Sequence, residues 1–162
     1  MSDFGGWAID VQLFLWMEQN IASGSRVVEL GSGKGTGPLS ETYELTSIEH
    51  NLQWLGYCPT TSYVHAPLVD GWYDAECVEH ALEQSGDYVA VLIDGPPGAF
   101  RKGMADYLDI FNKDAIYIVD DAQRPGEQWL MGEMNEWLGY KPVMHNCDKG
   151  SFAVYNPLDR GE

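Results

Sequence analysis

Basic residues are scarce in this chain of 162 residues: nine Lys and Arg stand against twenty-five Asp and Glu, a formal net charge of −16. A surface of that sign repels phosphates, which disfavours nucleic acid as a partner unless a local basic patch offsets it. The basic clustering that exists, Arg101-Lys102, is too small for that. Long apolar runs are missing too. None approaches the roughly 20 residues of a membrane-spanning helix, and the N-terminus lacks the basic-then-apolar order of a secretion signal. No membrane partner is therefore expected. The three cysteines, Cys58, Cys77 and Cys147, have no metal-ligand spacing, and an odd number argues against a disulfide framework. A reducing, cytoplasmic setting follows. Repeats, low-complexity tracts and linkers are absent as well.

What is present suits a packed globule. Hydrophobic residues make up 44% of the chain, with six tryptophans, enough for one domain over 1–162 with a two- or three-layer core. Apolar spacing of three and four predicts a helix over 6–22, carried by Ile9, Leu13, Trp16, Met17 and Ile21. Further helices are expected around 38–44, 54–58, 75–84 (Cys77, Val78, Ala81 and Leu82 on one face), 100–113 and 127–138. The last should turn Trp129, Leu130, Met134 and Trp137 inward. Strands are expected over 26–30, 46–49, 62–66, 88–93 and 115–119, with a closing hairpin of 142–146 and 151–155 around Asp148-Lys149-Gly150. Between the third strand and the next helix, 67–74 reads as a loop. Strands that alternate with helices before a terminal hairpin predict an open α/β sheet, mostly parallel, with one antiparallel addition.

The most informative segment is Val27-Val28-Glu29-Leu30-Gly31-Ser32-Gly33-Lys34-Gly35. An apolar strand breaks into glycines that let the backbone turn and approach a ligand closely. A second acid, Glu49, follows in Ser47-Ile48-Glu49-His50-Asn51. The E-x-G-x-G-x-G spacing resembles the cofactor loop of class I S-adenosylmethionine-dependent methyltransferases, and Glu49 stands where that family places its ribose-binding acid. The resemblance covers nearly the whole chain. It implies a Rossmann-like sheet of seven strands with helices on both faces, and S-adenosylmethionine as cofactor. It further implies a binding set of Glu29, Gly31, Ser32, Gly33, Gly35, Glu49, His50, His65, Ala66, Leu68 and Asp94. Where the family often has an acid reading adenine, this chain has His65-Ala66-Pro67-Leu68. Trp72 is expected either over the adenine or acceptor, or in the core.

Acids also end the later strands: Asp94 after the fourth, Asp120-Asp121 after the fifth. Ligands of open α/β sheets bind beyond the carboxyl ends of the strands, at the switch in strand order. Like charges gathered there repel one another in a partly desolvated cleft, and a cationic ligand or a metal relieves the repulsion. Asp94, Asp120 and Asp121 resemble the metal ligands of catechol-type O-methyltransferases, which implies Mg²⁺ and roles for Asp94 and Asp121 in catalysis. That family's second position is commonly Asn, and its turn differs from Pro96-Pro97. A rival resemblance, the Asp/Asn-Pro-Pro-aromatic motif of amino-directed methyltransferases, is broken by Gly95 and Gly98. Arg124 is read as a salt-bridge partner of the acid pair. His50, His65, His80 and His145 are read mainly as structural, with His50 and His145 near enough to the rim to act as a base.

The function these features predict is methylation of an oxygen of a small molecule or glycan. Two alternatives stand beside it. One is a catalytically silent cofactor-binding partner subunit. The other is a nicotinamide enzyme, whose pyrophosphate would meet Glu29 unfavourably. Nothing in the sequence excludes a homo-oligomer.

Overall fold

A computed structural model describes residues 9–161. Residues 6–8 of the first expected helix lie outside the described residues. Helix α1 (Val11–Asn20) begins where Asp10 Oδ1 accepts a hydrogen bond from Gln12 N at 2.8 Å, and it buries Leu13 and Met17. Strand β1 (Arg26–Leu30), helix α2 (Thr36–Thr42) and strands β2 (Glu44–Glu49) and β3 (Ser62–His65) follow. A small hairpin, β4 (Leu68–Val69) and β5 (Trp72–Tyr73), precedes helix α3 (Ala75–Ser85) and strand β6 (Ala90–Ile93). A kinked 3-10 helix (Gly98–Ile110), strand β7 (Ile116–Val119), helix α4 (Pro125–Leu138) and the hairpin β8 (Val143–Cys147) and β9 (Gly150–Tyr155) complete the domain.

The main sheet has seven strands in the order β3-β2-β1-β6-β7-β9-β8. Pairing is parallel from β3 to β7, and β9 runs antiparallel to both β7 and β8. The chain winds outward from β1 to β3, then returns through α3 to the other side of β1. The order therefore switches between β1 and β6, and a crevice opens at their carboxyl ends. Alternate strand residues feed two cores. Val27, Leu92, Ile118 and Phe152 pack with α1 and α2 on one face. Val28, Val91, Tyr117 and Tyr155 pack with α3, α4 and the 3-10 helix on the other.

Three expectations are corrected. Residues around Trp54 form successive turns rather than a helix, with Trp54 N bonded to Asn51 O and Tyr57 N to Trp54 O. Gly56, at φ 75° inside this stretch, suits a turn and not a helix. The expected loop over 67–74 contains the β4–β5 hairpin, and Trp72 is fully buried in the core. Trp129 is 53% exposed, and Met131 takes the inward place. Glu127, Leu130, Met131, Met134 and Leu138 make the buried stripe of α4, and Trp129 lies off it. At the open edge of the sheet β8 leaves Val143 and Met144 exposed. No helix among the described residues is long and apolar enough to cross a membrane.

Asp10 joins the two ends of the fold. Beyond capping α1, its Oδ2 accepts from Lys149 N at 3.2 Å, while Gln12 Oε1 accepts from Asp148 N at 2.9 Å. Asp10→Ala should lower unfolding free energy by about 1–2 kcal/mol, read from urea titration, with no change in secondary structure by circular dichroism.

Candidate functional site

Strand register builds the rim. Each ladder continues one residue past its strand: Gly31 N bonds to Ile48 O, Asp94 N to Leu30 O and Asp120 N to Ile93 O. These bonds carry Gly31, Asp94 and Asp120 to the same end of the sheet, over the switch point. A cleft of about 840 Å³ opens there. Of the expected residues, Gly31, Ser32, Gly33, Glu49, His50, Asp94, Asp120 and Asp121 line it. Glu29, Gly35, His65, Ala66 and Leu68 do not. Gly35 packs against Ile9, and Ala66 is buried. His65 is exposed with Nε2 3.1 Å from His50 O. Of the other histidines, His145 stacks on Phe152 at 4.9 Å, away from the cleft lining.

On the β1 side the turn is held from beneath. Gly33 N donates to Thr36 Oγ1 at 2.9 Å, and Thr36 Oγ1 donates to Glu29 Oε1 at 2.7 Å. Ser47 Oγ donates to the same oxygen at 2.8 Å. Glu29 is thus a buried brace for the glycine turn, only 1% exposed. Gly31 sits at φ 91°, and a Cβ there would lie 2.7 Å from Asp94 O, so the two turns can touch only because the residue is glycine. Glu49 is also buried but faces the cleft. Its Oε1 accepts from Ser32 N at 2.9 Å and its Oε2 from Asn51 N at 2.7 Å, with His50 Nδ1 3.0 Å away. Each carboxylate oxygen has more than one acceptor site, so capacity for ligand donors remains.

On the β6 and β7 side, Asp94, Asp120 and Asp121 each bring a carboxylate oxygen within 4.8 Å of the others. Asp121 adopts φ 53°, a region that Asp and Asn tolerate better than most residues. Burial, then the charge of Asp120, pushes the Asp94 carboxyl well above its ordinary range. Burial, then the charge of Asp121, raises Asp120. The expected salt bridge of Arg124 is present, with Nη1 3.2 Å from Asp121 Oδ2.

Sequence reasoning missed Arg101, which it noted only as half of the Arg101-Lys102 basic cluster. It is 4% exposed and lies among the acids. Nη2 donates to Asp94 O at 3.0 Å and lies 3.8 Å from Asp94 Oδ1; Nη1 lies 3.6 Å from Asp121 Oδ2. Nε donates to Pro96 O at 3.3 Å. The signal that could have found it was the unpaired cost of several strand-end acids, which calls for a cation close by. Trp54, Tyr73 and Lys149 also line the cleft without having been singled out for it.

No protein-family model matches the sequence, and no curated protein matches it. Solved structures do. The O-methyltransferase TomG from Streptomyces achromogenes, in complex with SAM, aligns at TM-score 0.57 and 16% identity, over 88% of this chain and 76% of that one. A methyltransferase from Pyrococcus furiosus aligns at TM-score 0.54 and 12% identity, over 89% and 80%. MycE methyltransferase from the mycinamycin biosynthetic pathway, in complex with Mg and SAH, aligns at TM-score 0.59 and 15% identity, over 93% of this chain and 50% of that one. At such identities the likeness establishes the fold: the chain has the Rossmann-like fold of S-adenosylmethionine-dependent methyltransferases.

The brace has a pH signature. Burial raises the Glu29 pKa from 4.5 to about 7, against the lowering effect of the Thr36 and Ser47 hydrogen bonds. The folded protein keeps a proton that the unfolded chain releases, so stability falls as pH rises through that window. Glu29→Gln should gain on the parent by up to about 3 kcal/mol between pH 4.5 and 7.5. Urea midpoints measured across this range check it; a difference that stays constant with pH would contradict it.

Proposed function

We propose that the protein is an S-adenosylmethionine-dependent methyltransferase that methylates an oxygen of a small molecule or glycan. The observation that carries this reading is the pairing of the Gly31-Ser32-Gly33 turn with the inward-facing Glu49 in one cleft. Glu49 is fixed by two backbone N–H groups and suits the two ribose hydroxyls, since a carboxylate accepts bidentate donors. The glycine turn admits the amino-acid part of the cofactor, and Glu29 acts on it through Thr36. His50, at the strand end beside Glu49, lines the same half of the cleft. The fold's solved counterparts with SAM or SAH bound agree with a cofactor of this kind.

Methyl transfer is one in-line displacement, so the protein acts chiefly by positioning the acceptor oxygen against the methyl group. Asp94, Asp120 and Asp121 mark the acceptor side. Removal of the acceptor proton falls to Asp94, which lines the cleft, or to a metal held beside it. The acid trio also fits a hard divalent cation: its oxygens converge, and their mutual repulsion is the strain that such an ion relieves. Asp94, Asp120 and Asp121 would hold Mg²⁺, which lowers the pKa of a coordinated hydroxyl. Arg101 and Arg124 already offset part of the charge, which leaves the ion a supporting share of the neutralisation.

Calorimetry with S-adenosylmethionine, S-adenosylhomocysteine and NAD tests the reading. Sub-millimolar binding of the sulfur cofactors and none of NAD is expected; the reverse pattern sinks it. Glu49→Gln should weaken S-adenosylhomocysteine on the order of tenfold, the loss of about one charged hydrogen bond. In labelled-methyl transfer over a metabolite panel, Asp121→Ala should abolish any dependence on Mg²⁺. Transfer by the parent protein that survives a strong chelator undiminished removes the metal from the scheme.

A further inference from the structure

The Asp94-Gly95-Pro96-Pro97 turn carries a glycine packed against Tyr73 and Gly31. A Cβ on Gly95 would collide with Tyr73 Oη and would sit 2.8 Å from Gly31 Cα. Two loop glycines and one phenol oxygen therefore meet at a single point. That point borders the cleft, since Gly31, Gly95 and Tyr73 line it together with Glu49 and Asp94. Tyr73 is 1% exposed, and its Oη is buried with no hydrogen-bond partner. An unmet hydroxyl in such a place is destabilising by roughly 1–3 kcal/mol, so a native fold that keeps one has a use for it.

Tyr73 cannot swing away to find a partner. Its neighbour Trp72 is fully buried, meets the Tyr73 ring edge-on at 5.4 Å and stacks on Tyr107 at 5.2 Å. Gly103 lets the 3-10 helix close onto the hairpin, because a Cβ there would lie 2.9 Å from Trp72 Cβ. Burial, and next the charge of Glu49, keeps the phenol protonated, so Oη is available as a donor.

We infer that Tyr73 is a further cofactor contact: its hydroxyl hydrogen-bonds the aminoacyl-nucleoside methyl donor where the Glu49 half of the cleft meets the Asp94 half. The inference rests on the methyltransferase reading of this cleft. The contact fixes the depth of the donor's reactive centre relative to Asp94. It also accounts for glycine at 95, where a Cβ would collide with the hydroxyl.

Tyr73→Phe removes the oxygen and nothing else. S-adenosylhomocysteine should bind this variant about five- to tenfold more weakly by calorimetry, the worth of one hydrogen bond. The unliganded variant should melt at the parent temperature or above, because an unmet polar group is gone. Tyr107→Phe, on the ring that backs Trp72, should bind the ligand as the parent does. Parent-like affinity of Tyr73→Phe, or a clearly lower melting temperature without ligand, overturns the inference while leaving the methyltransferase reading intact. A parent protein that binds neither S-adenosylmethionine nor S-adenosylhomocysteine overturns both.

Discussion

Carboxylates crowd one end of this sheet, and the buried guanidinium of Arg101 is the interaction that makes their crowding tolerable. Asp94, Asp120 and Asp121 arrive there because parallel strands deliver their final residues to a common edge. In water three such groups would repel only weakly; in a partly desolvated cleft the repulsion is severalfold stronger. Arg101 answers with its charge toward Asp94 and Asp121 and its N–H groups toward the carbonyls of Asp94, Pro96 and Asp120. The same side chain thereby ties the 3-10 helix to two strand ends. Removing a buried partner of this kind is far more damaging than removing a surface ion, because the remaining charges stay buried and unmatched.

The cleft thus has two halves with different physics. On the Glu49 side the acid is held by backbone N–H groups, which are fixed donors that need no counter-ion. On the Asp94 side the acids are held by cations and by each other's protons, an arrangement whose charge can change as ligands arrive. Glu29 belongs to neither. It is a structural acid, and its role is to keep the turn beneath Gly33 in place.

Much of this was legible in the chain itself. Continuous apolar runs ending in Glu29-Leu30-Gly31 and Ile93-Asp94-Gly95 suit doubly covered parallel strands, and Asp148-Lys149-Gly150 marked the terminal hairpin. The acids at the rim followed from the strand ends. What stayed hidden depended on contacts between distant segments. Arg101 looks like any surface arginine until two strand ends converge on it. Tyr73 sits in a two-residue strand too short to carry a periodic signal. Trp129 and Met131 share a helix, and only the rotation of that helix against the sheet decides which of them turns inward. Glu29 was visible as an acid, yet in a strand covered on both faces no alternation tells whether it meets ligand or core.

Strand β8 gives the acidic composition a physical consequence outside the cleft. Among the described residues no strand pairs its outer edge, next to Val143 and Met144, and an edge of that kind is a template on which a second copy could add a strand. Nothing of regular structure flanks that edge among the described residues. Molecules of charge −16 repel one another at low salt, which opposes pairing at that edge. Such protection is set by the medium: at about 1 M salt the screening length shrinks to roughly 3 Å, and the exposed strand then meets its copies with little to hold them apart.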